Sequence, residues 1–213
     1  MTTFIGTPIQ QTEYCVTRAE VKAFLRIDSS DEDAIIDSLI AAASLYVENF
    51  TNRTLLTTTK SKYLTHWHEP HGTRHRGMYY PYVPEGSLTV KSAIPLPYAP
   101  LQAVTGITYV APDGDSYVLS TDVYEVVTHT MPGCIRLKHG QQYPHVRGDT
   151  DGIEIIYVAG YGTSDNVPDG IKTAIKLIVG NWYENREATS PLTMKEVPLG
   201  IECLLWQFRI LEL

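Results

Sequence analysis

Ile153-Glu-Ile-Ile-Tyr-Val-Ala-Gly-Tyr-Gly162, then Val167-Pro168, then Ile171, Ala174, Ile175, Ile178, Val179 and Trp182, hold two periodicities on either side of one turn. Ile153–Val158 is an apolar run of strand length, rich in β-branched residues. The second set recurs at the three-and-four spacing of one helix face. Gly160 and Gly162 supply a tight turn between them. Pro168 suits a first helical turn, where no backbone N–H is needed. Glu184-Asn-Arg-Glu187 then finishes the helix with polar residues. A strand that hands over to a helix this way sets the class by what lies to either side.

Upstream, from about residue 55, the pattern is strand-like. Leu55–Trp67 is rich in Thr and Tyr, and Leu88–Ile94 alternates until Pro95 and Pro97 stop it. Val104–Val110 ends at Pro112-Asp113-Gly114-Asp115, a β-turn sequence. Tyr117–Leu119, Val123–Val127 and Cys134–Leu137 follow. Six or seven short strands so spaced predict a small antiparallel barrel or sandwich. Further upstream the period returns to that of helices. Thr17 and Glu20 form a capping box ahead of Ala19, Val21, Phe24, Leu25 and Ile27. Ser30, with Asp31, Glu32 and Asp33 behind it, is placed to cap a second helix carrying Ile35, Ile36, Leu39, Ile40, Ala43, Tyr46, Val47 and Phe50. The other side of that helix is mostly Ala and Ser, so an outer contact is expected there. The fold predicted is α+β: a helical bundle from both chain ends, residues 1–55 and 163–213, with an antiparallel β module, barrel or sandwich, inserted at 56–162.

The composition narrows the function. The chain has 213 residues, 43% of them hydrophobic and only 19% charged, which suits one or two globular domains and excludes disorder. A net charge of −7 argues against gripping nucleic acid or anionic membrane. Tyr outnumbers Phe by 14 to 4, an aromatic supply suited to contact surfaces. The cysteines Cys15, Cys134 and Cys203 have no metal-binding spacing and read as small buried hydrophobes. Neither a signal peptide nor a membrane span is expected, and assembly in a host cytoplasm fits.

Motifs for chemistry are few. His66-Trp67-His68-Glu69-Pro70-His71 is the densest group of potential ligands, with His66, His68 and His71 as metal candidates. Arg74, Arg76, Gly72 and Gly77 around it favour a solvated or partner-touching loop. There is no Gly-x-Ser-x-Gly elbow, Walker A loop or dinucleotide fingerprint. No catalytic residue and no cofactor are therefore expected. At the other end, Leu204, Leu205, Trp206, Phe208, Arg209, Ile210, Leu211 and Leu213 make an unusually apolar terminus behind a polar linker at 188–197. Such a tail either folds back on its own core or docks into another subunit. Trp206 and Arg209, common interface anchors, favour docking.

The order of these parts resembles the bacteriophage head–tail connector (adaptor) proteins. The resemblance is carried by Thr17–Ile27, Asp31–Asp33, Ile36–Ala43 and Phe50-Thr-Asn-Arg53, then Tyr157–Gly162 with Val167-Pro168 and Tyr183-Glu-Asn-Arg186, then Val197 through Arg209. It implies a longer variant of that family and a homo-oligomeric ring, typically a dodecamer, in the neck of a virion. That ring would dock under the portal protein and extend the DNA channel. It would offer a surface to a stopper, tail completion or terminator protein, with capsid protein a further possible contact, while double-stranded DNA passes without sequence recognition. Ile36, Ile40, Tyr46, Tyr183 and Arg186 are the residues expected at the ring interface, and Leu204–Leu213 is expected at the portal. Deleting residues 199–213 is expected to leave a folded protein that no longer joins portal-containing heads. The alternatives are a tail terminator or stopper, a metal enzyme built on the His-rich loop, or a carbohydrate-binding module using Trp67 and Tyr79–Tyr82.

Overall fold

The computed structural model describes residues 13–67, 93–148, 151–185 and 199–211. It falls into two compact units, one of Thr58–Ala159 and one built from Ile9–Thr57 with Gly160–Leu211.

Among the described residues the second unit holds four α-helices: α1 (Arg18–Leu25), α2 (Asp33–Thr51), α3 (Asp169–Glu184) and α4 (Leu199–Trp206). Thr17 opens α1 as expected. Its hydroxyl accepts the Glu20 N–H at 3.2 Å, and the Glu20 carboxylate accepts the Thr17 N–H at 2.7 Å. The cap expected at Ser30 is not made: α2 starts at Asp33, with Glu32 at the cap and no side-chain bond. Ser29 instead accepts the Asp31 N–H at 3.2 Å, a local turn that competes with an earlier start. Arg18 bridges to Asp33 (3.0 Å) and Asp37, and Lys22 to Asp33 (2.8 Å), tying α1 to α2. The core joins Val21, Ile36, Ile40, Ala43 and Val47 to Ile171, Ile175 and Ile178, with Ile201 and Leu205 of α4. Each large side chain so buried stabilises by about 1.5–3 kcal/mol before entropy is subtracted.

Among the described residues the other unit holds seven strands in two antiparallel sheets. The first runs β1 (Thr58–Leu64), β7 (Ile153–Ala159), β3 (Leu101–Val110), β4 (Ser116–Val118). The second runs β2 (Ile94–Pro95), β6 (Cys134–Leu137), β5 (Tyr124–Val127). Among the described residues neither sheet closes into a barrel; Ile94, Ile135 and Tyr124 of one share a core with Ile107, Ile155 and Tyr157 of the other. The apolar run Ile153–Val158 becomes a central strand, paired on both sides, with Ile153, Ile155, Tyr157 and Ala159 inward. Pro112–Asp115 makes the β3–β4 turn, where the Asp113 carboxylate accepts the Asp115 N–H at 3.0 Å. Most of the strand expected at 88–94 lies outside the described residues. Where β7 hands over to α3, Gly160 has φ +126° and a Cβ there would stand 2.4 Å from the Leu56 carbonyl oxygen, so only glycine fits.

Candidate interaction surfaces

The His-rich segment enters the structure only through His66 and Trp67; His68 and His71 lie outside the described residues, as do Tyr79–Tyr82. Trp67 is 6% exposed. Its ring stacks on Tyr143 with centroids 4.6 Å apart and planes 4° from parallel. Its indole N–H donates to the Pro144 carbonyl at 2.8 Å. Burial pushes the Tyr143 phenol up to about 12. His66 and His145 edge a cleft of about 450 Å³ over this stack. Among the described residues no three His, Cys, Asp or Glu side chains converge on a point that could hold a metal. A sugar platform needs an open aromatic face, and the indole of Trp67 is already covered.

The C-terminal element corrects one expectation. Leu205 is fully buried and Ile201 is 5% exposed, both in the helical core, so α4 is part of the unit that it closes. Leu204 and Phe208 pack against the same core. The chain beyond is strapped to the end of α2. Arg53 Nε donates to the Phe208 carbonyl (2.5 Å), Asn52 Nδ2 to the Ile210 carbonyl (2.8 Å), and the Ile210 N–H to the Thr51 carbonyl (2.9 Å). The Arg209 guanidinium lies 5.1 Å from the Phe50 ring centre and 4.8 Å from that of Trp206. Of the eight expected docking residues, only Trp206 and Leu211 present large open apolar surface, 50% and 59% exposed. Leu213 lies outside the described residues. Nothing in the hydrophobic pattern announced the strap, although Asn52-Arg53 stood in the sequence as two polar residues directly after a helix.

Ile36 and Ile40, expected between ring subunits, are 0% and 2% exposed and face α3 and the core instead. The apolar stripe of α2 is wide enough to supply two faces, and these two residues fall on the inner one. Tyr46 is half-buried, edge-on to Trp182 at 6.3 Å and stacked on Phe50 at 6.1 Å. The Tyr183 hydroxyl donates to the Glu32 carboxylate. Arg186 lies outside the described residues. The large apolar side chains that the helices leave open are Phe24 of α1, Ile35 and Leu45 of α2, Leu177 of α3 and Trp206 of α4. Among the described residues no helix is long and apolar enough to cross a membrane.

Two cores, one helical and one of antiparallel strands, with open apolar side chains on the helices, define an α+β protein with surface suited to contacts. The model of the head completion protein family matches residues 15–194, and the chain belongs to that family. No curated protein sequence matches the chain. Three solved structures share its fold. One is the neck of an empty gene transfer agent particle computed with C6 symmetry: TM-score 0.69, 22% identity, 100% of this chain and 97% of that one. Another is the virion of a native gene transfer agent particle: TM-score 0.69, 20% identity and the same coverage. The neck of a native particle computed with C12 symmetry gives a TM-score of 0.64 at 20% identity, again with 100% and 97% covered. The resemblance to head–tail connector proteins and the α+β class read from sequence are both borne out.

Proposed function

We propose that this chain is a ring subunit in the neck of a tailed phage or phage-like particle, joining head to tail mechanically and without chemistry of its own. The observation that carries the reading is the family match over residues 15–194. The full-length fold likeness to neck proteins of gene transfer agent particles supports it. In this reading the ring holds twelve copies, docks under the portal and receives a stopper or tail completion protein on its other side. The acidic balance, −7 over the chain, lets double-stranded DNA pass without being held.

Among the described residues the portal-facing role of the tail narrows to Trp206 and Leu211, because Leu204, Leu205 and Phe208 are already engaged within the subunit. A defined complementation experiment tests the whole reading. Particles assembled without this protein are expected to hold a closed portal vertex with no attached tail, and added protein to restore tail joining. Tailed particles formed in its absence would refute the assignment. The Trp206→Ala/Leu211→Ala variant is expected to fold and to lose attachment; full attachment would remove the tail from the portal contact.

A further inference from the structure

The correction at Ile36 and Ile40 leaves a question that the helical unit itself answers. The exposed residues of α2 are Ala34, Ile35, Ser38, Ala42, Leu45 and Asn49, all uncharged; the charge at the edge of that face, Asp37, is paired with Arg18 of α1. Solvated helix faces are normally charged. Ile35 is 41% exposed and Leu45 59%, with small residues between them that allow close approach of another helix.

A second open apolar feature lies in the same unit. Phe24 and Leu25 of α1, Leu177 and Gly180 of α3, and Ile201 of α4 line a groove of about 350 Å³. A Cβ at Gly180 would stand 3.0 Å from Leu25 Cδ2, so the glycine brings α1 close and sets the groove floor. At the rim, Asn185 Nδ2 donates to the carbonyl and side-chain oxygen of Asn181 (2.9 and 3.1 Å), so this amide is turned to its own helix. No Lys or Arg lines the groove among the described residues, which disfavours an acidic occupant.

The two features are different patches of the helical unit. The inner face of α2 packs on α3 through Ile36, Ile40, Ala43 and Val47, so its outer face points away from α3. On α3 the groove residues Leu177, Asn181 and Glu184 lie about 120° around the helix from Ile171, Ile175 and Ile178, which face the core. Two different patches on one body are what a head-to-tail contact between identical subunits requires. Such contacts close into a ring when the rotation divides a full turn.

We propose that the outer face of α2 on one copy seats in the α1–α3–α4 groove of the next, with Leu45 as the inserted side chain. The inference rests on the ring reading above and gives that ring its subunit contact. The occupant is a second copy of this chain, because a ring subunit needs two different patches for its head-to-tail contact and this unit leaves two apolar ones open. Half-exposed side chains of this kind offer on the order of 100 Å² each, so the apolar patch falls well short of the ~800 Å² per partner of a standard stable pair. An isolated pair is therefore weak, and the contact persists where each copy is held on both sides, as in a closed ring.

Disulfide trapping tests this in the full chain. Cys134 and Cys203 are first replaced by Ser; Cys15 is buried and its thiol is pushed up to about 11, so it stays inert. Leu45→Cys/Leu177→Cys is expected to give, on oxidation at high concentration, a ladder of covalent multimers rising beyond the dimer. Each single cysteine variant is expected to give at most a trace of dimer. A strong dimer from Leu45→Cys alone would mean a two-fold contact of α2 on itself and would overturn the proposal, as would monomer throughout. Native mass measurement of the unmodified protein, free and on particles, separates the two readings. A ring without the ladder refutes this contact and leaves the neck assignment standing. Absence of both refutes the contact and the ring together. Unchanged thermal unfolding of the variants, expected because both side chains are partly open to solvent, guards against loss of fold.

Discussion

The helical unit and the β unit solve the same burial problem differently. In the β unit three large aromatic side chains are spent inward: Trp67, Tyr124 and Tyr157 are each at most 6% exposed, and Tyr157 donates its hydroxyl to the Pro97 carbonyl at 3.1 Å. In the helical unit the core is aliphatic, and the aromatic residues form a half-open row, Trp182–Tyr46–Phe50–Trp206, ending on Arg209. Aliphatic side chains fill a helix–helix seam without polar atoms to satisfy. Aromatic ones left at the surface are the residues that anchor contacts. The helical unit thus keeps aromatic surface on its helices, while the β unit leaves Tyr117 and Val118 of β4 and Met131 open.

The comparison breaks most visibly at α4. Because Ile201 and Leu205 belong to the helical core, deleting residues 199–213 is expected to destabilise the unit severely, against the earlier expectation of a folded truncation. Leu205→Ala alone should cost about 2–5 kcal/mol. Chemical denaturation followed by tryptophan fluorescence measures it. A truncated chain with unchanged unfolding would show that α4 is an appendage after all. Next in size is Arg53, 9% exposed, which holds the Phe208 carbonyl and the Tyr161 hydroxyl (2.9 Å). Arg53→Ala should cost about 2–3 kcal/mol, since it removes charge-assisted bonds to two partly buried partners. Hydrogen exchange at Ile210, whose N–H closes the strap, is expected to rise with it. Tyr157→Phe in the β unit is a smaller change. It removes one neutral hydrogen bond and should cost about 1 kcal/mol, with strand register intact by amide shifts. An effect as large as that of Arg53 would mean that the β unit depends on polar fixing as much as the helical one does.

How much of this was legible from sequence follows from what period and turn chemistry can encode. The capping box at Thr17–Glu20, the Gly160–Gly162 turn and the strand Cys134–Leu137 are local, and each appears where the residues placed it. The start of α2 moved from Ser30 because Ser29 captured the Asp31 N–H first, a competition between neighbours that composition does not rank. Which side of α2 faces inward was not legible either: Ile35 and Ile36 are identical in type, and only the packing of α3 tells the 41% exposed residue from the buried one. The strap from Thr51–Arg53 to Phe208–Ile210 joins residues about 155 apart through backbone carbonyls, which carry no sequence identity. For that reason the tail's apolar residues looked free.

The smallest expected effect concerns acid and separates the two units again. Hydrogen bonding from Lys22, and then from Arg18, holds the Asp33 carboxyl below its usual 3.8, and these pairs join α1 to α2. In the β unit, the Asp113 carboxyl is lowered by the Asp115 N–H and the Tyr117 hydroxyl, but those bonds stay within one hairpin. A carboxylate whose folded value is depressed adds stability that is present above the ordinary value and is lost as pH falls through the depressed one. Both sites should therefore weaken below pH 3.8, with different reach. Loss at Asp113 frays one turn, whereas loss at Asp33 loosens the seating of a whole helix that also forms one wall of the Phe24–Leu177 groove. Since the pairs on α1 are largely exposed, the change is modest and screened by salt. Hydrogen exchange across α1 between pH about 5 and about 3 is expected to quicken relative to α3, and Asp33→Asn to show the quickened rate at both values. If α1 and α3 respond alike, the ion pairs do not seat the helix, and Val21 in the core holds it alone.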